Sequence, residues 1–362
     1  MVIAASTLRQ AQGRPEPGRR TTGPGRRTTP RAGGRPTTIK SLATYVPPRV
    51  LTNADLEKML DTTDAWIMQR VGIRERHIAG PGVATSDLGK EVAVAAIERA
   101  GLKPDDIDVI IVGTVTPDMM FPSTACLIQH KIGAHHAWGF DISAACSAFT
   151  YSLTTASQLV ATGAYEHALV VGADVMSSIL DYTDRSTCVL FGDGAGAVVV
   201  SAAADGDGAI LDFEHEIDGS GGSALFMPGG GSLHPPSHET IDKRLHYVKQ
   251  EGRAVFKFAV RKTEEIARRL LDRNGITPAD LDLFVSHQAN RRIIAAASEN
   301  LELDPAKVVI NIERFGNTTA ATIPLALNDA VCSGRLKKGD LVLLASVGAG
   351  FTVGAVLLRW GF

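Results

Sequence analysis

Asp141-Ile-Ser-Ala-Ala-Cys-Ser-Ala-Phe-Thr-Tyr151 is the stretch whose reading decides the fold. The apolar run from Ala137 to Ile142 predicts a buried strand, and Ser147 to Thr162 has the length of a helix that stops at Gly163. Cys146 then falls where a strand turns into a helix. Free amide N–H groups and the positive end of the helix dipole favour a thiolate over a thiol at such a turn. Ser143, Ala144 and Ala145 are small enough to let a substrate approach. The same place also suits a small core cysteine, the usual role of a lone Cys. The stretch alone leaves both readings open.

The chain has 362 residues, 44% hydrophobic and 21% charged, which predicts a globular protein of one or two domains. Cys126, Cys146, Cys188 and Cys332 are too far apart for a zinc knuckle or a redox pair and do not make a secreted disulfide framework. A cytoplasmic protein without a metal is expected. No apolar run is long enough to span a membrane. Charge is uneven: residues 1–40 carry nine basic residues against Glu16 alone, a net +8, which leaves −10 for the rest of a chain that totals −2. Residues 1–36 are rich in Gly, Pro, Arg and Thr and predict a disordered basic tail. Its paired arginines lack the apolar stretch of an export signal. A solvated tail, with neither nucleic acid nor membrane as partner, is the expectation.

Beyond the tail, helices are expected at Asn53–Leu60, with Asn53 as cap, and at Leu88–Ala100. Then a repeat appears. Gly101-Leu-Lys-Pro-Asp-Asp-Ile-Asp-Val-Ile-Ile111 is similar to Gly275-Ile-Thr-Pro-Ala-Asp-Leu-Asp-Leu-Phe-Val285, 174 residues later. Gly163 to Val171 is likewise similar to Gly334 to Leu344, 171 residues later. Two βα halves related by a pseudo-twofold axis follow, residues 37–205 and 206–362. Counting back 17 residues from Gly163 and from Gly334 pairs Cys146 with Asn317. His287 ends the strand that matches the one ending at Gly113. Strand ends of this kind line the crevice of open α/β sheets, so Cys146, His287 and Asn317 are expected to converge.

Each of these has a plainer explanation. An imidazole at a buried strand end can be structural, Asn317 can be a helix cap, and the glycines of Ser346-Val-Gly-Ala-Gly-Phe-Thr352 can make a tight turn rather than an oxyanion hole. Gly192-Asp-Gly194 fits no phosphate-loop spacing and is read as a turn.

Together the residues resemble a family. Trp66-Ile-Met-Gln-Arg-Val-Gly-Ile-Arg-Glu-Arg76, Phe121-Pro-Ser-Thr-Ala-Cys126, the Cys146 stretch, Thr183-Asp-Arg-Ser-Thr187, Phe191-Gly-Asp-Gly-Ala-Gly-Ala197, His287-Gln-Ala-Asn290, Gly316-Asn-Thr318 and Gly348-Ala-Gly-Phe351 occur in the order found in β-ketoacyl-acyl carrier protein synthase III. The resemblance runs from about Thr37 to Phe362. It implies a thiolase-like α/β fold with a layered αβαβα core. It also implies a decarboxylating condensation of acyl-CoA with malonyl-acyl carrier protein that initiates type II fatty acid synthesis. CoA and phosphopantetheine thioesters are then substrates, and no cofactor is called for.

In that family's terms Cys146 is the nucleophile, and the backbone N–H groups of Cys146 and Ala349 hold the oxyanion. His287 Nε2 and Asn317 Nδ2 donate to the malonyl thioester carbonyl, with the imidazole neutral. Trp66, Arg70 and Arg185 bind CoA, with the adenine stacked between Trp66 and Arg185. Phe121, Met176 and Phe191 shape the acyl pocket, Phe121 by reaching across a homodimer. Lys257 and Arg292 receive the acidic carrier. Three positions depart from the common pattern: alanine at 349, and Glu299 and Asn300 where lysines are frequent. A rival with the same residue types is a cysteine hydrolase, in which the His deprotonates the Cys.

Overall fold

The computed structural model describes residues 34–362, which form one compact unit. The expected disordered tail lies outside the described residues up to Gly33. Its last three positions are ordered: Arg35 donates through Nε to the Val160 carbonyl at 2.9 Å and pairs with Glu166 at 2.8 Å. Gly34–Pro36, expected to belong to the tail, are thus among the described residues and pack on the body.

Two sheets make the framework. The first runs in the order Thr37–Tyr45, Gly194–Ala202, His167–Asp174, Val109–Gly113, Trp138–Ile142. The last three strands are parallel, and the other neighbours are antiparallel. The second sheet runs Leu283–Ser286, Leu341–Gly348, Thr352–Arg359, Ala209–Ile217, with only its first pair parallel. Val109 and Leu283 open equivalent strands, as do His167 and Leu341, and both pairs lie 174 residues apart. The counterpart of Trp138–Ile142 is reduced to a single bridge between Phe284 and Val308.

Between the sheets lie two helices, Ala148–Ala161 and Thr322–Cys332. Phe149, Leu153 and Val160 of the first share a core with Ile323, Leu327 and Ala330 of the second and with strands of both sheets. Helices Thr85–Arg99 and Thr124–Ile132 cover the outer face of the first sheet, and Gly252–Asn274 and Arg291–Asn300 that of the second. The result is the expected αβαβα layering. No helix among the described residues is long and apolar enough to cross a membrane.

Three expectations shift for physical reasons. Thr52 caps the helix Asn53–Glu57, because Asn53 is buried and its amide is committed to Asp64, Ile73 and Arg76. The strand Trp138–Ile142 is a half-exposed sheet edge with Trp138 45% exposed, since no strand among the described residues pairs beyond it. Finally, the helix Thr322–Cys332 is three residues shorter than Ala148–Ala161 and is followed by a loop three residues longer. Counting back from the helix stops therefore misaligns the halves. The 174-residue offset pairs Cys146 with Ala320, and Ala145 with Thr319; both of the latter have positive φ, 48° and 50°.

Candidate active site

The two pseudo-equivalent turns face each other across the middle of the molecule. Ala145–Ser147 makes a tight turn before the helix Ala148–Ala161, and Thr319–Ala321 makes its counterpart. Cys146 sits in the first and is 4% exposed. Asn317 enters just before the second. Its N–H donates to the Leu190 carbonyl at 2.9 Å, and its own carbonyl accepts from Gly192 N–H at 3.1 Å. Its Oδ1 accepts from Thr319 N–H at 2.9 Å. With the oxygen so engaged, Nδ2 is left to donate toward the Cys146 sulfur. Gly316 precedes it at φ 66°, and an added Cβ would lie 3.0 Å from the Leu190 carbonyl oxygen. Only glycine serves there.

His287 continues the ladder beyond Leu283–Ser286, its N–H bonded to the Ala345 carbonyl at 2.8 Å. Its Nδ1 lies 2.6 Å from Thr322 Oγ1, and that hydroxyl lies 3.1 Å from the Thr319 carbonyl. A hydroxyl has one proton. Both contacts are satisfied together only if Nδ1–H donates to Thr322 and Thr322 donates to Thr319. Nε2 is then bare, buried and without a partner. This is not the Nε2–H tautomer that the neutral-donor expectation needs. Burial pushes the imidazole down to about 3, so the ring is uncharged near neutrality.

The thiolate expectation is also corrected. Burial first, and then the Asp174 carboxylate, push Cys146 up to about 12, against the opposing Asn317 and Cys146 N–H donors. Desolvation outweighs the helix terminus here, and the resting group is a thiol. Asp174 accepts from Thr114, Val115 N–H and Thr116 at 2.8–3.1 Å and from Ala320 N–H at 3.3 Å, tying the second turn to the first sheet.

A cavity of about 670 Å³ brings together most of the expected residues: Cys146, His287 and Asn317, with Phe191 as wall, and Trp66, Arg70, Arg185, Lys257 and Arg292 among its lining. Arg253 and Gln250 line it too and were not anticipated. Among the described residues, Arg70, Arg253, Lys257 and Arg292 have no carboxylate within 4 Å. Arg292 lies over the Phe256 ring at 5.3 Å. Arg185 lies over Trp66 at 5.3 Å and is held by Asp61. A flat base between them needs two contacts of about 3.5 Å, so the guanidinium must withdraw by about 2 Å to admit one.

Three expected residues lie elsewhere. Met176 is 2% exposed in the apolar cluster behind Phe191 rather than on the cavity wall. Phe121 is 84% exposed in a run with Met119 and Met120, outside the chain's own cavity. Ala349 follows Gly348, which is the residue that lines the cavity. A Cβ at Gly348 would lie 2.8 Å from the Cys146 backbone nitrogen. Asp193 behaves as a turn residue, its carboxylate holding Ala79 N–H and Ser177 at 2.6–2.8 Å.

Comparison with known proteins agrees with this geometry. Residues 140–219 match the family model described as 3-oxoacyl-[acyl-carrier-protein (ACP)] synthase III, and residues 271–360 match its C-terminal model. The chain is 57% identical over 325 residues to the β-ketoacyl-[acyl-carrier-protein] synthase III of Koribacter versatilis, covering 90% of this chain and 98% of that one. It is 60% identical over 327 residues to that of Solibacter usitatus, with the same coverage. The chain belongs to the β-ketoacyl-acyl carrier protein synthase III family. The crystal structure of the family member from Aquifex aeolicus superposes with a TM-score of 0.82 at 44% identity, over 90% of this chain and all of that one. The layered core is therefore the thiolase fold, and the protein is a condensing enzyme of the acyltransferase type.

The decisive turn around Asn317 was visible in the sequence, but the roles of Thr319 and Thr322 were not. Their signal was the threonine-rich run Thr318-Thr-Ala-Ala-Thr322, which places hydroxyls three residues apart where a helix begins.

Proposed function

We infer that the protein condenses an acyl-CoA primer with malonyl-acyl carrier protein, releasing CoA and CO2, and so starts type II fatty acid synthesis. The observation that carries this reading is one cavity with Cys146, His287 and Asn317 among its lining and a cluster of cations beside them. Cys146 attacks the acyl thioester, and CoA leaves. The Cys146 N–H and the N–H of Ala349, on the peptide that joins it to the cavity-lining Gly348, take the oxyanion. The malonyl thioester then enters with its carbonyl toward Asn317 Nδ2, and toward His287 Nε2, which donates once it has taken up a proton. Donors at this point are used most when the enolate forms, so they lower the barrier rather than merely hold the substrate.

Trp66, Arg70 and Arg185 suit an adenine nucleotide with phosphates, and Arg253, Lys257 and Arg292 suit an acidic carrier. A homodimer is part of the reading. The exposed Met119-Met-Phe121 run and the open edge at Trp138 are the surfaces it would cover. Phe121 would then close the partner's acyl pocket. No metal or redox cofactor enters the chemistry.

The test weighs intact protein after incubation with a panel of acyl-CoAs, then follows CO2 from malonyl-carrier. Wild type gains an acyl mass, and Cys146→Ser does not. Asn317→Ala keeps the adduct and loses roughly 10²–10³-fold in CO2 release. Undiminished CO2 release by Asn317→Ala refutes the assignment. Free acid released from acyl-CoA without malonyl-carrier marks a hydrolase instead.

A further inference from the structure

The pseudo-twofold carries the reaction cavity onto a second place in the molecule. At the 174-residue offset Cys146 corresponds to Ala320, Ala289 and Asn290 to Val115 and Thr116, and Gly348 and Ala349 to Asp174 and Val175. The two N–H groups assigned to the oxyanion, those of Cys146 and Ala349, donate to no backbone acceptor among the described residues. Their counterparts are both taken. Ala320 N–H donates to Asp174 Oδ2 at 3.3 Å. Val175 N–H donates to Thr116 Oγ1 at 2.9 Å, and that hydroxyl donates to Asp174 Oδ1 at 2.9 Å. We propose that Asp174 is a positioning residue that acts as a built-in oxyanion: its carboxylate fills the second, nucleophile-free copy of the oxyanion hole and so holds the Thr319–Ala321 turn on which Asn317 and His287 depend. The proposal rests on the condensing reaction inferred above.

One position separates the open hole from the filled one. A Cβ at Gly348 would lie 2.8 Å from the Cys146 nitrogen, so any side chain there would block the hole, and glycine leaves it to the substrate. Asp174 stands at the same point of the other half, and its side chain does block it. The carboxylate is fully buried. A buried charge without a cation is expensive unless hydrogen-bond donors replace the lost water. Here Thr114 Oγ1, Val115 N–H and Thr116 N–H supply them at 2.8–3.1 Å, beside the Thr116 hydroxyl and Ala320 N–H. A group that only accepts is what these donors call for, and an ionised carboxylate only accepts. Burial pushes its pKa up, and the Val115, Thr116 and Ala320 donors oppose that. The helix Thr322–Cys332 follows the turn directly and adds its positive end. An apolar residue in this place would leave the same donors stranded.

From Ala320 the effect reaches the site through its neighbour Thr319. Thr319 N–H holds Asn317 Oδ1 at 2.9 Å. The Thr319 carbonyl accepts from Thr322 Oγ1 at 3.1 Å, and that hydroxyl lies 2.6 Å from His287 Nδ1. Both donors meant for the malonyl thioester therefore hang on the turn that Asp174 grips. Cys146 lies on the opposite turn, and Asp174 acts on it only through its charge, which raises the thiol. Removing the carboxylate loosens the decarboxylating side of the site, and on the nucleophile's side it only lightens an opposing charge.

Asp174→Ala keeps the Cβ and leaves a gap the size of one carboxylate, which formate matches. Acyl-enzyme formation is followed by intact mass and CO2 release from malonyl-carrier by trapping, in sodium formate or in sodium chloride of equal ionic strength. In chloride the variant is expected to lose roughly 10–10²-fold in CO2 release while acylation stays within about twofold of wild type. Formate at about 100 mM is expected to restore CO2 release by about fivefold or more and to raise the Tm of the variant but not of wild type. Asp174→Asn keeps the shape without the charge and has no room for formate, so it is expected to lose CO2 release and to ignore the anion. Wild-type CO2 release by either variant overturns the proposal and leaves the condensing function intact. Equal losses in acylation and CO2 release, or no effect of formate on rate or Tm, also overturn it and reduce Asp174 to packing. No CO2 from wild type overturns the function itself. Should Asp174→Ala fail to fold, it is refolded from urea in each salt: recovery in formate alone supports the built-in anion, and recovery in neither overturns it.

Discussion

Replacing Gly348 with alanine should disable acyl transfer without disturbing the carbanion-forming half of the site. A Cβ there lies 2.7 Å from Thr352 Oγ1, 2.8 Å from the Ala144 carbonyl oxygen and 2.8 Å from the Cys146 nitrogen. The threonine hydroxyl can rotate away, but the other two atoms are backbone of the nucleophile turn. Ordinary contact begins near 3.4 Å, so the turn must retreat by about 0.6 Å. Gly348 is not among the glycines with positive φ, so the cost is steric and not conformational. Overpacking of this kind costs about 1–3 kcal/mol of stability. A misplacement of about 1 Å at a reacting atom costs about 10²-fold in rate, so 0.6 Å predicts a loss of roughly 10–20-fold in acyl-enzyme formation. Intact-mass kinetics with a saturating acyl-CoA measure that loss. CO2 release from malonyl-carrier without primer, which relies on His287 and Asn317, should stay within about twofold. Wild-type acylation by a folded Gly348→Ala protein refutes the claim that this backbone sets the position of the sulfur.

Other consequences follow from burial and charge. Arg76 is fully buried, has no carboxylate partner among the described residues, and donates to Leu51 O, Asn53 Oδ1 and Val189 O. Arg76→Met strands three acceptors and should cost about 3 kcal/mol or more in urea unfolding; a loss under about 1 kcal/mol would show that the cluster relaxes around the gap. His215 is half-buried, its Nδ1 shut away from solvent without a partner, and desolvation lowers it to about 4. Between about pH 4 and the unfolded value near 6.5, only the unfolded chain binds that proton, so stability falls as pH drops through this window. The slope is about 1.4 kcal/mol per pH unit. His215→Gln should remove that share of the slope, and parallel wild-type and variant curves would refute it. Lys257→Glu and Arg292→Glu should weaken malonyl-carrier binding at low salt by about tenfold or more, with wild-type affinity itself falling as salt rises. Salt-independent affinity places the carrier elsewhere.

The parts of this protein that were legible beforehand are those set by repetition and by local chemistry. The 174-residue recurrence of a Gly-Pro turn and a buried strand gave the two sheets, because both copies must solve the same packing problem. A small-residue turn before a helix gave Cys146, and a polar residue at a buried strand end gave His287. What escaped was whatever depended on the two halves being pressed together. The pseudo-twofold buries Cys146 between the halves and brings Asp174 of one half under the turn of the other, and the burial first, then that charge, raises the Cys146 thiol instead of lowering it. No pattern in either half alone carries this information. The same holds for Thr322. As a residue it reads as the first position of a helix, and only its 2.6 Å approach to His287 makes it decide which nitrogen of the imidazole holds the proton. The location of the chemistry is thus written in each half separately, whereas the protonation states that drive it arise at the seam. Substitutions that loosen that seam should alter pH dependence before they alter substrate binding.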